Sequence, residues 1–134
     1  MGNEAPADGV PVQPCVLIVE DEILVRMFAV DVLEDAGFRV EQAAAGAEAL
    51  AKLDACELRA VIIDLGLPDR RGDEVAAEIR RRHATLPILI ASGRSEREIR
   101  DRFAGDTSVG ILAKPYTEPM LLEALRTLGV QQPG

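Results

Sequence analysis

Three runs without a single polar side chain, residues 15–19, 60–63 and 88–91, constrain this chain more than any other feature. A strand with one face in water alternates polar and apolar residues. An unbroken apolar run of four or five therefore belongs to a strand covered on both sides, as in parallel sheets. Between the runs the period changes. Val25, Phe28, Ala29, Val32, Leu33 and Ala36 recur at i, i+3, i+4, i+7, i+8 and i+11, and Gly37 follows, which reads as one face of a helix closed by a glycine.

The same unit repeats along the chain. Residues 38–42 read as a short strand, 47–55 as an Ala-rich helix, 59–64 as a strand, and 65–71 as a Gly/Pro-containing loop. A helix follows over 72–83, then a strand over 88–91 introduced by Pro87. A charged helix over 95–103, a strand over 109–113 and a helix over 117–128 on Leu121, Leu122, Leu125 and Leu128 complete the series. Five strands alternating with five helices, joined by right-handed crossovers, predict a doubly wound α/β fold: a five-stranded parallel sheet with helices on both faces. Residues 1–14, with Pro6, Pro11 and Pro14 and no apolar period, read as a flexible lead-in, 15–130 as one domain and 131–134 as a tail.

Composition narrows the function classes. Fifteen basic residues against 23 acidic ones leave a net charge of −8 and a pI near 4.7, which disfavours direct nucleic-acid binding, since phosphate neutralisation needs a basic surface. The apolar runs are only strand-length and the N-terminus lacks a signal-peptide pattern, so a soluble, cytoplasmic protein without membrane contact is expected. Cys15 and Cys56 are able to pair, but their apolar segments and a reducing compartment favour free buried thiols.

Ligands of such sheets bind at the carboxyl ends of the strands. Those ends carry Glu20 and Asp21 after the first strand, Asp64 after the third, Ser92 and Gly93 after the fourth, and Lys114 with Pro115 after the fifth. Polar residues occur at strand ends anyway, so each position alone means little. Together, three carboxylates converging on one rim repel unless a hard divalent cation joins them, and Mg²⁺ is the natural candidate. Lys114 adds a point charge and Ser92 a hydroxyl, which suit the equatorial oxygens of a phosphoryl group, and a carboxylate such as Asp64 is able to act as nucleophile and form an acyl phosphate.

In these residues the sequence resembles the receiver domains of two-component response regulators, over residues 15–130. The matching segments are Val19-Glu20-Asp21-Glu22, Ile62-Ile63-Asp64-Leu65-Gly66-Leu67-Pro68 with Gly72 beyond it, Ala91-Ser92-Gly93, and Ala113-Lys114-Pro115-Tyr116. The resemblance implies a flavodoxin-like sheet in the order 2-1-3-4-5 and a phosphorylation-dependent signalling receiver. Asp64 would accept the phosphoryl group from a phosphohistidine, with Ser92 and Lys114 assisting. Glu20, Asp21, Asp64 and the Gly66 carbonyl would serve Mg²⁺, and the bond before Pro115 would be cis. The partners implied are a sensor histidine kinase or a histidine phosphotransfer protein, a downstream protein target, and a second copy of the chain in a homodimer. The chain would be a phosphoacceptor that assists its own phosphorylation and dephosphorylation rather than an enzyme.

Three departures from the family pattern, at four positions, matter. Ile111 stands where an aromatic switch residue is usual, Ser92 replaces the commoner Thr, and Arg94 and Gly66 occupy places that tune loss of the phosphoryl group. Only six residues follow the last helix, so a stand-alone receiver with output through a partner is expected, the alternative being a receiver excised from a hybrid kinase. A phosphohydrolase with an aspartyl nucleophile would need a second acid at the place of Gly66, and an FMN carrier would not put Glu20-Asp21-Glu22 after its first strand. His83 and the arginines at 80–82 read as a solvated helix end suited to the dipole. The alternating charges of 94–102 read as exposed helix or as a dimer or partner interface.

Overall fold

The computed structural model describes residues 13–93 and 96–133. Most of the lead-in segment and Arg94 lie outside the described residues. The elements are β1 (Cys15–Val19), α1 (Ile23–Asp35), β2 (Arg39–Ala43), α2 (Gly46–Lys52), β3 (Leu58–Asp64), α3 (Gly72–Arg82), β4 (Ile88–Ser92), α4 (Glu96–Arg102), β5 (Val109–Ala113) and α5 (Glu118–Thr127). All strand pairs are parallel and the sheet runs β2-β1-β3-β4-β5, the order expected.

Successive side chains of a strand point to opposite faces, and both faces here are apolar, so two cores form. Val16, Ile18, Ala60, Ile62, Leu89 and Ala91 pack beneath Ala29, Val32 and Leu33 of α1 and Leu121 and Leu125 of α5. Their neighbours Leu17, Val19, Val61, Ile63, Ile88 and Ile90 pack beneath Ala49 of α2, Val75, Ala76 and Ile79 of α3, and Ile99 of α4. Gly37 takes φ +101° after α1, a left-handed turn that L side chains resist, and lets Phe38 enter the first core.

Two expectations change. Of the apolar face read for α1, Val25 does pack partly buried against the core, but Phe28 is 40% exposed, and with Ile23, Leu24 and Met27 it forms an exposed apolar patch. The first turns of α1 stand at the carboxyl edge of the sheet, where the covering strands end, so Ala29, Val32 and Leu33 are its fully buried residues, with Val25, Val30 and Ala36 partly buried against the same core. Arg80 is not a solvated residue. Its guanidinium donates to Asp106 at 2.7 Å and to the carbonyl oxygens of His83, Leu86 and Ser108, clamping the α3–β4 and α4–β5 connections together.

Candidate functional site

Each strand end delivers one chemical group to the same rim because the strands are parallel and in register: Val19 pairs with Ile63, Asp64 with Ala91, and Ser92 with Ala113. Glu20 therefore follows β1, Asp64 ends β3, Ser92 ends β4 and Lys114 follows β5, all at one edge. The peptide bond between Lys114 and Pro115 is cis, as expected. Asp64, Gly66, Ser92 and Lys114 line one surface cavity of about 470 Å³ together with Leu65, Leu67, Gly93 and Arg71.

Lys114 sits at the centre of the charges. Its Nζ donates to Asp64 Oδ1 at 2.9 Å, to Glu20 Oε1 at 3.1 Å and to Glu22 Oε1 at 3.4 Å. Burial pulls the ammonium pKa down, but the hydrogen bonds and charges of Asp64 and Glu20 outweigh it and raise the value above the ordinary lysine range. The other oxygen of Asp64 accepts from the Gly66 amide at 3.1 Å. Glu20, 2% exposed, accepts from the Glu22 amide at 3.1 Å. Burial raises its carboxyl pKa and the Asp64 charge adds to that, against the opposing pull of the Glu22 amide and Lys114. Ser92 is buried beside Asp64 in the cavity wall, and its carbonyl accepts from the Lys114 amide at 3.0 Å.

The donor set fits a hard divalent cation. Carboxylate oxygens of Glu20, Asp21 and Asp64 all lie within 4.8 Å of one another, two of these residues are buried, and Asp21 faces solvent. One lysine cannot balance these three carboxylates and Glu22, so a net negative charge remains where oxygen ligands converge, which is what Mg²⁺ coordination needs.

The loop that presents Asp64 is braced by contacts the sequence reading did not find. Gly72 donates its amide to the Leu65 carbonyl at 2.8 Å, and Gly66 bridges Arg71, closing residues 65–71 on themselves. Asp69 reaches across to accept from the Gly46 and Ala47 amides at 2.8 and 3.0 Å, capping the N-terminus of α2 from another element. Asp73, buried at the start of α3, accepts from Arg71 at 3.0 Å and pairs with Arg102 of α4 at 3.4 Å. Nothing local in the sequence marks these pairs, whose partners lie up to 29 residues apart.

Comparisons with known proteins agree with this geometry. A family model described as "Response regulator receiver domain" matches residues 16–126. The sensor kinase CckA of Brucella abortus is 31% identical over 115 residues, covering 84% of this chain and 12% of that protein. Among solved structures, the chemotaxis protein CheY4 of Vibrio cholerae superposes with a TM-score of 0.81 at 31% identity, covering 87% of this chain and 99% of that one. The response regulator protein TrrA of Thermotoga maritima, solved in complex with Mg²⁺-BeF, gives a TM-score of 0.71 at 26% identity over 87% of this chain and 99% of that one. This chain spans about half, or less, of the length of the curated relatives it matches.

Proposed function

The chain belongs to the response regulator receiver domain family, and from that premise we propose that Asp64 is its phosphoacceptor, taking a phosphoryl group from a protein phosphohistidine and passing the signal to a downstream protein. The observation that carries the reading is the clamp on Asp64, with Lys114 Nζ on one carboxylate oxygen and the Gly66 amide on the other. A carboxylate oxygen of Asp64 forms the new bond to phosphorus while the bond from phosphorus to the imidazole nitrogen breaks, its electron pair leaving with the histidine. Lys114, already between Asp64 and Glu20, holds positive charge at the phosphoryl oxygens, and the Ser92 hydroxyl donates to one of them as charge accumulates there.

Glu20, Asp21, Asp64 and the Gly66 carbonyl would hold Mg²⁺, supported by the convergence of the three carboxylates. When bound, the cation supplies neutralisation of the phosphoryl charge that one lysine alone leaves incomplete. The apolar patch of Ile23, Leu24, Met27 and Phe28 beside the site supports docking of a protein donor, a sensor histidine kinase or a phosphotransfer protein. Loss of the phosphoryl group by water attack at the same site belongs to the proposal. So does a cytoplasmic location.

Acetyl phosphate with Mg²⁺, followed by intact-mass measurement, tests the reading. The wild-type protein should gain one phosphoryl group, and Asp64→Asn, or the wild type with the metal chelated, should gain none. Equal uptake by Asp64→Asn would assign the chemistry to another residue.

A further inference from the structure

The end of the sheet opposite Asp64 holds chemistry that the phosphoryl site does not use. Cys15 is the first residue of β1, and Cys56 lies in the connection that leads into β3. Their Sγ atoms are 2.7 Å apart, and a Glu41 carboxylate oxygen lies within 4.8 Å of both. That sulfur separation sits between the roughly 2.05 Å of a disulfide and the roughly 3.8 Å that two thiolates take across a tetrahedral Zn²⁺ with bonds near 2.3 Å. It is nearer the disulfide. The two thiols are inequivalent: Cys15 is 2% exposed, whereas Cys56 is partly exposed and lines a surface cavity of about 420 Å³ with Asp54, Glu57 and His83.

We propose that Cys15 and Cys56 are an oxidation site at which a hydroperoxide closes a reversible disulfide between β1 and the α2–β3 connection. Cys56 is the attacking residue, because oxidant reaches it through the cavity and because Cys15 stays a thiol. Burial, and then the contact with Cys56, push the Cys15 pKa up to about 12. The Cys56 thiolate attacks one peroxide oxygen; the S–O bond forms, the O–O bond breaks, and the departing hydroxide takes a proton to become water. The Cys15 sulfur then displaces the hydroxyl of the Cys56 sulfenic acid. The S–S bond forms, the S–O bond breaks, and the Cys15 proton, relayed by Glu41, leaves with that hydroxyl as a second water. Two sulfurs are oxidised by one electron each and the peroxide is reduced by two. The carboxylates of Asp54 and Glu57 in the cavity wall favour a neutral hydroperoxide over an anionic disulfide such as oxidised glutathione.

Reduced full-length protein treated with hydrogen peroxide should lose about 2 Da, the two thiol hydrogens, and regain them with dithiothreitol. A digest should contain Cys15 and Cys56 in one cross-linked pair. In Cys15→Ala the oxidation should halt at Cys56, where dimedone labelling should exceed the wild-type level by about tenfold. Oxygen addition without the cross-link, disulfide-linked dimers through Cys56, or no reaction would overturn the proposal. Equimolar Zn²⁺ that shields both thiols from maleimide, with no cross-link formed by peroxide in its absence, would assign the pair to a metal instead.

Discussion

A methyl group at position 72 would stand 2.1 Å from the carbonyl oxygen of Asp64 and 2.9 Å from the Cα of Leu65, contacts to backbone that no side-chain rotation relieves. Gly72 is therefore fixed by the close approach of α3 to the end of β3, not by its own backbone angles. Gly72→Ala should cost about 3 kcal/mol, at the upper end for overpacking, and should slow phosphoryl uptake, because the strain falls on the residue proposed as the phosphoacceptor. Urea unfolding together with the acetyl phosphate assay checks both; full stability in Gly72→Ala would mean that the loop yields freely. Asp73, one residue on, makes a different kind of contribution. Burial acts to raise its pKa, but the hydrogen bond and charge of Arg71 and the charge of Arg102 outweigh it, and the carboxyl lies below the usual range. A carboxyl made more acidic by folding contributes stability above its unfolded value near ~3.9, and that contribution is lost as pH falls through the folded value. Asp73→Asn should thus be less stable than wild type at neutral pH by about 1–3 kcal/mol, with the gap closing below about pH 4. A gap unchanged in acid would show that Asp73 acts through packing alone.

Among the helices, α4 has the slightest hold on the sheet. Ile99 is its one buried side chain among the described residues, with Phe103 packing partly beneath its end, and its remaining ties are ion pairs such as exposed Arg71 to Glu98 at 3.6 Å and Arg102 to the buried Asp73 at 3.4 Å. Ile111 lines the same surface cavity as Ile99 and Phe103, so a shift of α4 should change its packing. Beryllofluoride with Mg²⁺ should change amide hydrogen exchange across α4 and β5, as the Ser92 hydroxyl is drawn toward Asp64 and the adjoining loop follows. Changes confined to α1, α2 and α3 would rule this route out. The elements themselves were legible in the sequence, because a buried parallel strand and an amphipathic helix have different periods, and their observed ends fall mostly within a residue or two of the reading. The helix expected to reach residue 55 stops at Lys52, whose ammonium turns back to the Gln42 carbonyl. The convergence of Glu20, Asp21, Asp64, Ser92 and Lys114 was legible because parallel strands carry their last residues to one edge. What stayed hidden depends on distance across the fold: Asp69 capping α2, Asp73 tying α3 to α4, Cys15 meeting Cys56, and the exposure of Phe28 past the end of the sheet. None of these leaves a local spacing in the chain.

At the scale of the whole molecule, a net charge of −8 and an acidic rim make any cation stabilising to some degree, so site binding has to be separated from general screening. A cation that binds the folded chain and not the unfolded one adds RT ln(1 + [L]/Kd), or about 2.7 kcal/mol at a hundredfold excess over Kd. For a domain of this size that is a rise in Tm of roughly 10 °C. NaCl at matched ionic strength screens the repulsion without filling a site and should give only a small part of that rise. Asp21 separates the two effects. Its side chain is exposed in the turn after β1, so Asp21→Ala should leave the fold intact while removing one of the three converging carboxylates. Thermal melts of both proteins, in Mg²⁺ and in matched NaCl, should therefore show a Mg²⁺-specific rise in the wild type that is largely lost in Asp21→Ala, while the response to NaCl is the same in both. If Asp21→Ala kept the full Mg²⁺-specific rise, the cation would be bound without that carboxylate, and Asp21 would be no more than an acidic residue ahead of a helix N-terminus.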